Sequence, residues 1–392
     1  MTLLARDPRS PFPMFEALSP LQRRARGYDW VLIATALALS LIGAMLVWAA
    51  TRDTQRALGL DPQAYLYRHL MNLFIAAVLM VAASRLDSRL LRLFGPIVYV
   101  GSLLGLLAVF AVGSTVNGAH AWIRLGGGFE VQPSEFMKLG LIVGMAVLFT
   151  QRAAERDEDG PPTTSDVLIA LTLIAVPLGL IMLQPDLGSA MVLATASFGV
   201  LIAAGVKARW TVGLIIAGVL LAVVAVKAGV LAQYQIERVT SFTHPTHDTQ
   251  GAAYNVTQAH IAIANGGLFG RGLFGGPQTN GGYVPEQQTD FVYSVAGEEF
   301  GLVGGMVIIG LFGLLCWRGL RIARDADPAG RLLAAGIICW FAFQAFQNIG
   351  MNLQLTPVTG LPLPFVSYGG SSMFAQGLAI GLLEAVHRRI ST

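Results

Sequence analysis

The chain has 392 residues, of which 54% are hydrophobic and 12% charged, with a net charge of +3. Soluble domains carry roughly 25% charged residues, so this composition excludes an ordinary soluble enzyme and indicates a membrane protein. The positive balance is no sign of nucleic acid, because in a membrane chain basic residues report orientation.

In chain order, residues 1–29 are polar and carry Arg6, Arg9, Arg23, Arg24 and Arg26. They read as a cytoplasmic segment before a first span that stays as a signal anchor. Apolar runs follow at 30–50, 69–84, 93–113, 135–151, 167–183, 187–206, 211–227, 291–317, 332–355 and 373–387. Most approach the ~20 residues that cross a bilayer as a helix. The expectation is an all-α integral membrane protein with ten transmembrane helices, a membrane domain over 30–387 and a short tail over 388–392. Ten spans place both termini on one side. Of the 26 Lys and Arg, 18 fall at the termini and in the even-to-odd loops, which puts both termini in the cytoplasm.

The loop at 152–166 reads as a solvated cytoplasmic linker. The loop at 228–290, between spans seven and eight, is long and faces outward, and loops of that length are usually functional or disordered. It holds a helical pattern from Tyr254 to Ala264 and a Gly-rich stretch from Gly266 to Gly282, and is expected on the membrane surface. The Gly-rich stretch lacks the Gly-Lys-Ser/Thr ending of a nucleotide loop. His244, His247 and Asp248 form a loose cluster without a full metal-ligand set. Cys316 and Cys339 lie in apolar runs and read as small buried side chains.

Polar residues gather where the even-numbered spans begin. The fourth follows Gln132-Pro133-Ser134-Glu135 and the sixth follows Gln184-Pro185-Asp186. The eighth follows Pro285-Glu286-Gln287-Gln288-Thr289-Asp290, and the tenth Pro362-Leu363-Pro364 and Ser367-Tyr368-Gly369-Gly370-Ser371-Ser372. Capping explains any one of these, since Pro suits the first turn, Ser and Thr accept from its amides, and acids favour its positive end. Four on the outward side are harder to dismiss, and converging helix N-termini offer a site for phosphate or diphosphate.

Lys138 lies one turn inside the fourth span. A lone charge at that depth costs about 2.5–3.5 kcal/mol on insertion scales, so it should face Glu135, Asp186 or a wet cavity. A structural ion pair and a cavity cation for an anionic ligand both stay open. Arg124 either snorkels at the headgroup level or binds phosphate as a fork. Asp290 is either a first-turn acid or a general base. Glu298 and Glu299 follow about 12 Å deeper, and at least one should point inward.

Together these segments resemble the SEDS family of bacterial cell-wall polymerases, which has a branch working in elongation (RodA) and one in division (FtsW). The resemblance runs from residue 30 to near the C-terminus. It rests on Trp122-Ile123-Arg124-Leu125-Gly126, Gln132 to Lys138, Gln184 to Ser189, Pro285-Glu286 with Thr289-Asp290-Phe291, and Pro362 to Ser372. Asn348-Ile349-Gly350-Met351 and Thr356-Pro357-Val358-Thr359-Gly360 look more like the elongation branch. Gly276-Pro277-Gln278 and Tyr283 to Gln288 depart from the family's usual residues, which removes any His or Arg just before Asp290.

The resemblance implies ten spanning helices and a peptidoglycan glycosyltransferase acting on lipid II, with Asp290 as its essential acid. It implies a class B penicillin-binding protein as transpeptidase partner, beside lipid II, the growing glycan strand and membrane lipid, and no nucleic acid. Arg124, Lys138, Glu135, Asp186, Ser367, Ser371 and Ser372 are expected at the substrate site. There Arg124, Lys138 and the helix N-termini would offset charge on the leaving group, and Glu135 and Asp186 would hold Lys138. A divalent cation, Mg or Mn, on the diphosphate is left open. Two rival readings remain: a flippase for lipid-linked precursors, and a scaffold that only positions a penicillin-binding protein.

Overall fold

A computed structural model describes residues 27–116, 119–126, 129–156, 160–227 and 252–389. Among them the helices are α1 (Trp30–Ala57), α2 (Ala64–Ala83), α3 (Ser88–Val112), α4 (Pro133–Arg156), α5 (Thr164–Leu183), α6 (Leu187–Ala203) and α7 (Ala208–Lys227). Then come α8 (Ala252–Gly266), α9 (Pro277–Gly281), α10 (Val292–Asp325), α11 (Pro328–Asn352) and α12 (Gly370–Arg389). Each of the ten apolar runs falls on one of α1–α7 or α10–α12. Seven of these helices are long and apolar enough to cross a membrane, while α6 and α7 offer shorter apolar stretches. The twenty-residue α12 is more polar and ends in His387, Arg388 and Arg389. The protein is a helical, multi-pass membrane protein.

Local sequence sets several helix starts. Asp29 accepts from the Leu32 amide at 3.2 Å to open α1, and Thr163 and Asp166 form a reciprocal capping box at α5. Asp327 caps Gly330 at 2.9 Å, with Pro328 in the first turn of α11. Each such bond satisfies one of the amides that a helix start leaves without a partner.

Burial sorts the helices into layers. In the apolar windows of α4 and α11, 78% and 67% of residues are buried, against 22% and 17% for α2 and α3. The first pair is therefore the interior, and the second presents apolar faces outward, as lipid-facing helices do. α12 packs closely on α2 through Gly377 and Gly381, where a Cβ would lie 2.5 Å from the Ala76 carbonyl oxygen and 2.4 Å from that of Met80. This is a small-residue seam at i, i+4, which lets two helix backbones touch where no hydrophobic effect drives them together.

Three features depart from a simple set of spans. The first is a three-stranded antiparallel sheet between α3 and α4: β1 (Ser114–Val116), β2 (Ala119–Gly126) and β3 (Phe129–Val131). It adds to the helical fold a β-meander that carries Trp122 and Arg124 on its middle strand.

The second is a break inside α10 at Gly301 (φ 67°, ψ −163°). Breaking a helix frees backbone groups that must be satisfied inside the protein at membrane depth. Residues 266–272 supply the partners. Arg271 and Gly272 amides donate to the carbonyls of Glu298 and Glu299 at 2.9 and 3.0 Å, and the Leu302 and Val303 amides donate to Gly267 and Leu268 at 2.9 and 3.1 Å. The Gly-rich stretch thus wedges into α10. His244, His247 and Asp248 lie outside the described residues.

The third is a lock at the end of the bundle away from the sheet. Arg318 of α10 donates to Asp29 through Nε (3.0 Å) and Nη2, and Glu384 of α12 accepts from the Asp29 amide at 3.0 Å. Arg389 donates to the Leu86 carbonyl at 2.6 Å and Arg388 to that of Ser84 at 3.3 Å. These bonds tie α1, α2, α10 and α12 together.

Candidate functional site

At the sheet-bearing end, Asp290 occupies the turn that leads into α10. Its amide donates to the Glu286 carbonyl at 3.0 Å, so residues 286–290 form one turn with the two acids at its ends. The Asp290 carbonyl accepts from Asn348 Nδ2 at 2.8 Å and Asn352 Nδ2 at 3.2 Å. Asn352 Oδ1 in turn accepts from the Ser294 amide at 3.1 Å, supplying the cap that Phe291 cannot. Two carboxamides one turn apart on α11 therefore fix both the Asp290 backbone and the start of α10.

The loop before α12 clamps the same turn from the other side. Ser367 Oγ accepts from the Leu363 amide at 2.8 Å and donates to the Thr289 carbonyl, and the Tyr368 amide donates to the Gln288 carbonyl at 2.9 Å. Ser367 thus positions the turn bearing Asp290. Burial pushes the Tyr368 phenol above its usual range, against the nearby, hydrogen-bonded Arg68 guanidinium. Ser372 Oγ donates to the Gly369 carbonyl at 3.1 Å.

Glu135 and Lys138 form a fully buried pair at 2.7 Å. The ammonium also reaches Gln344 Oε1 at 3.4 Å and lies 4.8 Å from the Trp340 ring centre. Gln344 Oε1 accepts from Trp340 Nε1 at 2.6 Å, and its Nε2 donates to the Pro362 carbonyl at 2.8 Å. Lys138 thus anchors α4 to α11 and to the loop before α12. Asp186 does not complete this pair. It caps α6 by accepting from the Ser189 amide at 3.0 Å and takes Gln132 Nε2 at 2.9 Å. The Gln132 amide donates to Ser371 Oγ at 3.1 Å, which donates onward to the Glu130 carbonyl at 3.0 Å. The starts of α4, α6 and α12 therefore do converge, through Gln132 and Ser371.

Arg124 stands apart from this convergence. Its side chain is 66% exposed on β2 and donates through Nε to Glu130 at 3.0 Å, so it belongs to the open rim. Among the described residues no three His, Cys, Asp or Glu come together as a metal site.

The sequence reading did not place Gln344 or Asn352 at the site and took Asn348 only as part of a branch-specific run, yet their i, i+4, i+8 spacing is a polar stripe on an apolar helix. Glu298 and Glu299 are both fully buried. Glu298 accepts from the Gln278 and Thr279 amides at 2.9 and 2.8 Å and from Thr279 Oγ1 at 2.7 Å. It holds α9 against α10 and is occupied structurally.

Fold and site define a polytopic membrane protein whose polar groups converge at one end of the helices, around an acid at the start of a broken span. The comparison with known families agrees: residues 29–392 match the cell cycle protein family of FtsW, RodA and SpoVE, and the chain belongs to that family. Among curated relatives, the probable peptidoglycan glycosyltransferase FtsW of Geobacter metallireducens is 34% identical over 93% of this chain and 95% of its own. That of Caulobacter vibrioides is 38% identical over 92% and 89%. Among solved structures, a chain of a peptidoglycan synthase complex superposes with a TM-score of 0.76 at 32% identity, covering 93% of this chain and 98% of that one. The rod shape-determining protein RodA of Thermus thermophilus gives 0.67 at 30%, covering 92% and 97%.

Proposed function

We propose that this chain polymerises lipid II into glycan strands at the outer face of the cytoplasmic membrane, with Asp290 as general base. The observation that carries the reading is the clamping of the Asp290 turn by Asn348, Asn352 and Ser367 at the mouth of the bundle. These bonds fix the backbone that presents the Asp290 side chain. Asp290 takes the proton from the acceptor sugar's 4-hydroxyl, and that oxygen attacks the anomeric carbon of the donor. The bond from that carbon to the diphosphate oxygen breaks, polyprenyl diphosphate leaves, and configuration inverts. Arg124 at the rim and the N-termini of α4, α6 and α12 attract the diphosphate. Lys138 contributes through the field of a buried pair, not by direct contact.

The orientation proposed is cytoplasmic termini with the sheet outside, as the basic residues favour. A class B penicillin-binding protein is the proposed partner for cross-linking, a reading supported by the likeness to a synthase-complex chain. Polymerisation of lipid II by the purified protein tests the activity, and transfer of lipid II across vesicle membranes without polymer would favour the flippase instead.

Elongation is the proposed cellular role, on the run from Asn348 to Met351. The division-protein name shared by the curated relatives supports the other branch. Depletion separates them. Rounding of the cells is expected for elongation, and long undivided filaments would assign the chain to division.

A further inference from the structure

At the end of the bundle that carries the Asp29–Arg318 lock, the start of α1 and the ends of α2 and α12 bring basic and aromatic side chains together. The Arg388 guanidinium lies 5.0 Å from the centre of the Tyr28 ring, within cation–π range. Ser84 Oγ reaches the Tyr28 phenol at 3.5 Å, and Arg85 hydrogen-bonds the same phenol. Ser84, then Arg85 and Arg388, hold that phenol below its usual pKa against the opposing effect of burial. Two guanidiniums, one after α2 and one on α12, thus converge on a single phenol. Arg388 has Glu384 one turn before it, but Glu384 is buried and accepts from the Asp29 amide, while Asp29 is held by Arg318. Arg85 is exposed and makes no ion pair among the described residues.

The surroundings define the kind of anion that fits. Trp30 is 71% exposed, and its ring lies 6.1 Å from that of Tyr28. Met71, Phe74, Val78 and Val81 are all exposed on α2, and their i, i+3, i+7, i+10 spacing makes one apolar stripe. The stripe is about 15 Å long, half of a ~30 Å hydrocarbon core, and leads to Ser84 and Arg85. An exposed tryptophan at headgroup level, an apolar stripe one leaflet deep and a basic terminus together match an amphiphile with an anionic head. A nucleotide or an acidic peptide would leave the stripe unused. Guanidiniums pair with phosphate oxygens as a fork, and two of them repel the amine of a zwitterionic headgroup.

We propose that the ends of α1, α2 and α12 form a binding site for an anionic phospholipid, with its phosphodiester between Arg85 and Arg388 and an acyl chain along the α2 stripe. The site lies at the opposite end of the bundle from Asp290 and is independent of the polymerase reading. A lipid bound there bridges α2 and α12 beside the lock.

The test uses the purified full chain in neutral detergent, with lipid retention read by native mass spectrometry as phosphatidylglycerol or phosphatidylcholine is titrated in. The wild type should retain phosphatidylglycerol in preference to phosphatidylcholine. Arg85→Ala, at an exposed position outside the lock, should weaken that binding about fivefold, as expected for one basic residue at an anionic surface. Trp30→Ala, also exposed, should weaken it as well. Lys207→Ala, which removes an exposed charge between α6 and α7, should leave it unchanged, and millimolar inorganic phosphate should not displace the lipid. Equal retention of the two lipids, or unchanged binding by both folded variants Arg85→Ala and Trp30→Ala, would overturn the site. An equal loss with Lys207→Ala would overturn it too, by reducing the effect to the general charge of that end. Displacement by inorganic phosphate would overturn the lipid assignment in favour of a soluble anion.

Discussion

At the residue scale the Glu135–Lys138 pair decides between two roles. Both side chains are buried, and a buried pair gains little over a well-packed apolar pair, while removing one partner strands a charge. Lys138→Ala or Glu135→Ala should each cost about 3–5 kcal/mol, seen as a lower melting temperature in detergent. The double change Lys138→Met with Glu135→Leu should recover most of that stability. Recovery of polymerisation as well would make the pair a structural clamp alone, and recovery of fold without activity would show that its field is needed. The pairing was legible from the i, i+3 spacing, and so was an inward Glu298. The division of labour was not. Asp186 turned to Gln132 because capping α6 fixes its carboxylate, and spacing along one helix carries no information about a residue on another.

At the element scale, the broken helix α10 and its Gly-rich wedge form one unit. Gly301 sits at φ 67°, where a Cβ would meet the Gly270 amide nitrogen at 2.3 Å, and a Cβ on Gly270 would meet the Glu299 carbonyl oxygen at 2.1 Å. Gly301→Ala should cost about 1–3 kcal/mol or more and release residues 266–290 from α10. Faster proteolytic cleavage within 266–290 would report it, and an unchanged cleavage pattern would contradict the wedge. The sequence showed the glycines but not what they approach, because close contact between distant segments has no local signature. The sheet was more legible than the all-helix reading allowed. Asn117-Gly118 and Gly126-Gly127-Gly128 bracket a seven-residue run, and both are hairpin signals. The sequence reading left this stretch as a connection between two spans and assigned it no strands.

At the scale of the whole molecule, hydropathy and charge placed ten helices in order, and burial then sorted them into inner and lipid-facing layers. The two ends differ in kind. One carries the convergent site, and the other carries the Asp29–Arg318–Glu384 lock and most of the basic residues among those described. If the basic end is cytoplasmic, a cysteine at Thr115 should react with an impermeant thiol reagent in intact cells. A cysteine at Arg324 should react only after permeabilisation. The reverse pattern would invert the topology and place the site beyond reach of extracytoplasmic glycan.

The account turns on Asp290, and the most direct measurement is lipid II polymerisation by the purified protein, with a cognate penicillin-binding protein and divalent ions present, comparing wild type with Asp290→Asn. The substitution keeps the shape of the turn and its backbone bonds to Asn348 and Asn352 and removes the base, so the folded variant should retain the partner and fall at least ~100-fold in rate. Long glycan chains from the wild type and almost none from the variant are the predicted result. Equal polymer from both proteins would contradict the central claim.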